Sequence, residues 1–173
     1  MPTITSHGPA DVRERGRSVK GVNLFITEEA ISDMLDHAEE GASQNSEVMG
    51  LLAGQIYRDA EGMYAVVNKA VTSGLLSDDV SVRFDHSDMI TLFDALDRLD
   101  FDYVIVGWYH SHLGIGCFMS ETDISTHSSA FGSEMGFALV IDPIKEELKV
   151  FESSAEGPKE TSMIVMEDHT QMA

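Results

Sequence analysis

Cysteine is almost missing. One residue, Cys117, stands in 173, so no internal disulfide can form and a metal site made of several thiolates is excluded. A single thiol suits a reducing, intracellular setting. Basic residues are scarce: 11 Lys and Arg face 30 Asp and Glu, a net charge of −19. Such a surface repels a phosphate backbone, which argues against nucleic acid as a partner. It favours encounter with a basic protein, and it also serves simple solubility. The few cations are bunched, with Arg13, Arg15, Arg17 and Lys20 among the first twenty residues. Long apolar runs are absent: none approaches the roughly eighteen residues of a membrane span, and the N-terminus shows no apolar signal core. The chain therefore reads as cytoplasmic, with no membrane partner. Two motifs are missing as well. Without H-E-x-x-H the helix-borne zinc-protease pattern is excluded, and without P-C-x-x-C so is the nucleobase-deaminase ligand set.

The remaining signals fit one domain. Residues 1–20 lack periodicity and read as a flexible basic arm, 21–168 as the domain and 169–173 as a tail. Residues 22–26 read as a first strand. Thr27 is placed to cap a helix running to residue 40, with Glu28 and Glu29 in its first turn. Ile31, Met34, Leu35 and Ala38 mark its buried face and Gly41 its stop. Residues 47–57 form an apolar run headed by Glu47 and are expected as a central strand; 63–71 return beside it. Residues 72–79 are a polar loop with a Leu75-Leu76 pair, and 80–84 alternate as a short strand. Asp85 or Ser87 then caps a helix with Met89, Leu92, Phe93, Leu96 and Leu99 on one face. Residues 103–109 are the next buried strand and 120–130 a further helix. Residues 136–141 and 148–151 are strands joined by a turn at Asp142-Pro143, 155–160 a loop, and 163–166 a last strand. Strands and helices mix around one sheet, so the class is α/β or α+β.

The chemistry gathers in residues 107–123, GWYHSHLGIGCFMSETD. His110 and His112 are two apart, which on a strand puts both imidazoles on one face about 6.6–7 Å apart along the backbone. Both can then turn onto one metal ion at about 2.0–2.1 Å. After a seven-residue loop, Ser120-Glu121-Thr122-Asp123 can open a helix and return a carboxylate to the same point. Two His and one carboxylate with a position left open make a catalytic rather than a structural zinc arrangement. Taken singly, each part has a plainer explanation. A His-x-His pair also suits a polar sheet rim, and Ser-x-x-Asp is also a helix capping box. A metal-activated water needs a carboxylate base that is not itself a ligand, and Glu47 is the candidate. Its plainer role is a solvated acid at a strand head. Cys117 is open to either approaching the site or packing as a small apolar residue. His127 is either a supporting residue of the site or an ordinary polar residue on a helix.

Glu47-Val-Met-Gly-Leu-Leu-Ala-Gly, then GWYHSHLGIGC, then Ser120-x-x-Asp123, resembles the JAMM (MPN+) zinc metalloproteases. Their signature is an upstream Glu, His-x-His-Pro, seven residues and Ser-x-x-Asp. The GWYHSH and G-x-G-C wording is most similar to the deubiquitinating subunits of the proteasome lid and the COP9 signalosome. The resemblance runs over about residues 25–151. It implies a curved mixed β-sheet flanked by helices, similar to the cytidine deaminase fold. It further implies one Zn2+ per chain on His110, His112 and Asp123, Glu47 as base, and Ser120 as hydrogen-bond donor to the oxyanion. In several members of this family the segment matching residues 72–84 orders into a strand against the extended tail of a ubiquitin-like substrate, which would make Leu75, Leu76, Val80 and Val82 substrate-facing. The alternative there is an ordinary loop. The implied function is cleavage of ubiquitin or a ubiquitin-like modifier from proteins. Trimming of a sulfur-carrier ubiquitin-like protein, or a non-catalytic MPN scaffold, are the alternatives. The short stretch after the last strand points to a free-standing enzyme, with a homodimer or a proteasome-linked assembly as its higher-order states. One position departs from the pattern: Leu113 stands where the family has proline.

Overall fold

The computed structural model describes residues 19–72, 104–132 and 135–167, together with the backbone of 3–5. The expected loop 72–79 past its first residue, the strand 80–84 and the following helix lie outside the described residues, and so do Leu75, Leu76, Val80 and Val82. In chain order the elements are β1 (Thr3–Thr5), β2 (Leu24–Thr27), α1 (Glu28–Ser43), β3 (Met49–Asp59), β4 (Gly62–Thr72), β5 (Val104–Ser111), α2 (Glu121–Phe131), β6 (Phe137–Asp142), β7 (Glu147–Glu152), β8 (Lys159–Thr161) and β9 (Ile164–Met166). The strands form one mixed sheet in the order β1-β9-β2-β4-β3-β5-β6-β7-β8. β5 runs antiparallel to β3 and parallel to β6. This agrees with the α/β expectation, and no helix among the described residues is long and apolar enough to cross a membrane.

The long central strand β3 is irregular on both edges. Its register shifts between Ala53 and Gly54 against β4, and between Leu52 and Ala53 against β5. Bulges bend a strand and increase its twist. A side chain at Gly54 would meet the Val66 carbonyl oxygen at 1.8 Å, so only glycine admits the close crossing of β4 there.

One face of the sheet is covered by α1. Leu24, Ile26, Leu52, Val67, Val106, Leu139 and Ile141 pack with Ala30, Met34 and Ala38 of that helix. Thr27 caps α1 as expected, its Oγ1 accepting from Ala30 N. The buried stripe is Ala30, Met34, Ala38 and Gly41; Leu35, expected inside, is exposed, and Ile31 is only partly covered. Three of the four in this stripe are small and let the helix approach closely, with Met34 filling the space between them. Gly41 does not end α1. The helix continues to Ser43 and stops where Asn45 takes the left-handed conformation (φ 54°). Gly41 instead supports the chain ahead of β3: a Cβ there would meet Val48 Cγ1 at 2.4 Å and Ser46 O at 2.8 Å.

The opposite face carries Met49, Leu51, Ala53, Trp108 and Ala138, with Ala130 and Phe131 of α2 packed over them. Two short strands depart from expectation. Thr3–Thr5, placed in the flexible arm, pairs parallel with β9, and Lys159–Thr161, placed in a loop, pairs with β7. Both are edge strands.

Candidate metal and active site

β5 extends two residues past its expected end. His110 pairs with Met49 on one side and Val140 on the other, and Ser111 pairs with Ile141. Ser111 ties the strand to the segment before β3: its N–H donates to Val48 O at 2.9 Å, and its Oγ accepts from Val48 N at 2.8 Å. His112, just beyond the strand, still donates its N–H to Ile141 O. The alternation of β5 sends Trp108 and His110 to the α2 face and Tyr109 to the α1 face, where its O–H meets His37.

The loop after His112 is tied to the end of β6. Buried Asp142 accepts backbone N–H groups from Gly114, Gly116, Ile144 and Lys145, the shortest at 2.7 Å from Gly116. Burial would raise this carboxyl, but those N–H groups hold it below the ordinary carboxylate range. Gly114 and Gly116 both take positive φ (86° and 88°), which the loop's path requires. Gly116 then offers its carbonyl to His112 Nδ1 at 2.8 Å. A carbonyl only accepts, so Nδ1 carries the proton and Nε2 of His112 is the bare nitrogen.

α2 opens on a full capping box. Ser120 Oγ accepts from Asp123 N at 3.1 Å, and Asp123 Oδ2 accepts from Ser120 N at 2.9 Å. The same Oδ2 lies 3.1 Å from His110 Nε2 and 3.4 Å from His112 Nε2. All three side chains are buried, with one ligand atom from each inside a 4.8 Å span. Burial would raise the Asp123 carboxyl; the two imidazoles and the Ser120 N–H outweigh it and hold it far below the ordinary range. For His112, burial works downward, but Asp123, the Gly116 carbonyl and the charge of Glu47 together push it up.

His110 is the odd member. Both ring nitrogens are buried and neither makes a hydrogen bond, although Nε2 lies 3.1 Å from Asp123 Oδ2. Buried nitrogens without partners cost about 1–3 kcal/mol each. The Nε2 atoms of His110 and His112 and a carboxylate oxygen, gathered at one place, form a donor set that suits Zn2+.

The remaining expected residues are placed as follows. Glu47 is exposed and lies two positions before β3 rather than inside it, near enough for its charge to act on His112. Cys117 packs: its thiol is buried, points at Val140 O at 3.2 Å and is pushed up to about 11, chiefly by burial. His127 is buried between Trp108 and Ser153. Asp142 and Trp108 carry no part in the sequence reading of the site. The only hints were an acid ending an apolar run before proline, and an indole two residues before a histidine. Around the loop Ile115, Phe118 and Ile144 are exposed, and the Phe118 ring lies 4.9 Å from that of His112.

The fold and site define a class, and comparison with known proteins gives it a name. The chain belongs to the JAB1/Mov34/MPN/PAD-1 ubiquitin protease family, whose pattern matches residues 19–131. It is 34% identical over 140 residues to ubiquitin carboxyl-terminal hydrolase RPN11 of Saccharomyces cerevisiae, covering 80% of this chain and 43% of that protein. It is 35% identical over 124 residues to 26S proteasome non-ATPase regulatory subunit 14 of Drosophila melanogaster, covering 70% and 39% respectively. The chain thus spans about two fifths of the length of these curated relatives. A solution structure of a protein from Desulfitobacterium hafniense shares the fold, with a TM-score of 0.62 and 24% identity over 86% of this chain and 96% of that one.

Proposed function

We propose that this chain is a zinc-dependent isopeptidase that removes ubiquitin or a ubiquitin-like modifier from proteins, with residues 21–168 as its catalytic unit. The observation that carries the reading is His110, buried with two unpartnered ring nitrogens beside Asp123 and His112. Family membership supports the deubiquitinase-like class.

His110 Nε2, His112 Nε2 and Asp123 would hold the ion. Zinc bound there would supply Lewis acidity to a water and to the scissile carbonyl. Glu47, outside the ligand set and open to solvent, takes the proton of the attacking water and returns it to the departing amine. The Ser120 oxygen already accepts from Asp123 N–H, which leaves its O–H to donate to the oxyanion. Asp142 and Gly116 keep His112 in the tautomer that presents Nε2. The exposed Ile115, Phe118 and Ile144 give the rim apolar contact suited to a protein substrate. Leu75, Leu76, Val80 and Val82 complete the substrate side in this reading.

The test is cleavage of a ubiquitin fusion and of an isopeptide-linked conjugate, with and without a chelator. Glu47→Gln is expected to keep zinc and slow turnover by roughly 10²–10⁴-fold. Unchanged turnover would remove Glu47 as the base. A parent chain with neither zinc nor chelator-sensitive cleavage would be a non-catalytic member of the family.

A further inference from the structure

The three candidate ligands are not held alike. His112 is fixed by Gly116 O, and Asp123 by Ser120 N–H. His110 has no hydrogen bond to its ring. Its contact is instead face to face: the Trp108 indole stacks on it with ring centroids 4.5 Å apart and planes 19° from parallel.

Trp108 is itself anchored from behind. Its Nε1–H donates to His127 Nδ1 at 3.0 Å. That nitrogen must be bare, so the His127 proton sits on Nε2, which donates to Ser153 Oγ at 2.6 Å. Ser153 O–H passes on to Gly136 O at 3.1 Å, and Ser153 N–H reaches the same carbonyl at 2.9 Å. The chain of donors runs one way, from indole to imidazole to hydroxyl to backbone, and joins β5, α2 and the turn after β7. Every polar group in it is used, so the indole has one orientation about its own axis.

From this we infer that His127 and Ser153 are positioning residues acting through Trp108, and that this relay sets the ring plane of His110. The inference rests on the metal reading above for its consequence, because a ligand must present its lone pair within about 10–20° of the productive direction. Its mechanism rests on the stack and the hydrogen bonds of Trp108 and His127. Stacking alone permits the imidazole to slide and spin in its own plane; an indole that cannot rotate gives the ring one offset against which to settle.

The experiment uses the full chain with His127→Leu, His127→Gln and Ser153→Ala. Leucine fills the space without an acceptor, and glutamine restores an acceptor for the Trp108 N–H. Imidazole and indole resonances are recorded on the metal-free proteins, and zinc affinity is measured by competition with a chelating dye. In His127→Leu the indole N–H resonance should move and the His110 ring signals should broaden or split. Zinc affinity should fall by about 10–100-fold. Ser153→Ala should give a milder version, and it carries the test if the leucine variant does not fold. His127→Gln should return both readouts to within about threefold of the parent. Unchanged His110 signals and affinity in His127→Leu, or a glutamine variant as damaged as the leucine one, would overturn the inference. A parent chain that takes up no zinc would refute the metal reading, while the ring signals of the apo variants would still decide whether the relay holds His110.

Discussion

His110 and His112 stand two residues apart and are both buried, yet they are held by opposite means. The His112 side is polar and local. Its ring is bonded by a loop carbonyl, that loop is gathered by Asp142, and the whole borders exposed Ile115 and Phe118. The His110 side is apolar and deep, with its ring stacked on an indole in the core and no hydrogen bond of its own. The difference separates two ways of holding a candidate ligand. A hydrogen bond fixes tautomer and direction together. A stack fixes the plane only, and leaves both nitrogens for whatever binds. The side of the site nearer the exposed rim is thus tied by hydrogen bonds, charge-assisted where Asp142 accepts them, and the deep side by packing.

The sharpest way to break this contrast is to remove the polar anchor alone. Asp142→Ala strips the acceptor from four backbone N–H groups at a buried position. It should cost roughly 3 kcal/mol of stability by chemical denaturation and weaken zinc by about 10–100-fold. Its mark should be loosened His112 ring signals beside unchanged ones for His110; equal disturbance of both rings would erase the distinction.

Acid should act on the other side. Burial lowers His127 to about 4, so the folded chain stays neutral there where the unfolded chain takes a proton near 6.5. The unfolded state then binds more protons, and stability falls as pH drops from about 6.5 to about 4, by about 3 kcal/mol across that window. His112, held above its ordinary value, contributes with the opposite sign in the metal-free protein, since its stabilisation is present in acid and lost as pH rises. The difference between parent and His127→Gln isolates the first effect. A parallel pair of pH–stability curves would contradict it.

Two smaller effects concern the supports. Gly41→Ala pushes a methyl into Val48 and Ser46 O, on either side of Glu47. A loss of about 1–2 kcal/mol is expected, with slower turnover and full zinc content. Leu113→Pro, which supplies the residue the signature has at that place, should change stability by under about 1 kcal/mol and leave zinc content alone.

Much of this was legible because it is local. The spacing of His110, His112, Ser120 and Asp123 predicts their meeting wherever a strand end is followed by a short loop and a capped helix, and the structure brings one candidate ligand atom from each of His110, His112 and Asp123 within 4.8 Å. The capping box and the carboxylate of the cluster turned out to be one arrangement, with Asp123 Oδ2 serving both. What stayed hidden depends on distance along the chain. Asp142 reads as a turn residue, and its bond to Gly116 spans 26 residues. Gly41 has the look of a helix stop, and only the return of residues 46–48 shows the close approach it allows. β8 is polar and mostly exposed, so no apolar pattern announces it; pairing with β7 makes it a strand.

The central claim is that His110, His112 and Asp123 together hold one metal ion. Native mass spectrometry of the purified chain, loaded with zinc and exchanged into metal-free buffer, tests it directly. One zinc per chain in the parent and none in Asp123→Ala is the expected result. A parent that retains no zinc, or an Asp123→Ala variant that keeps a full equivalent, would contradict it.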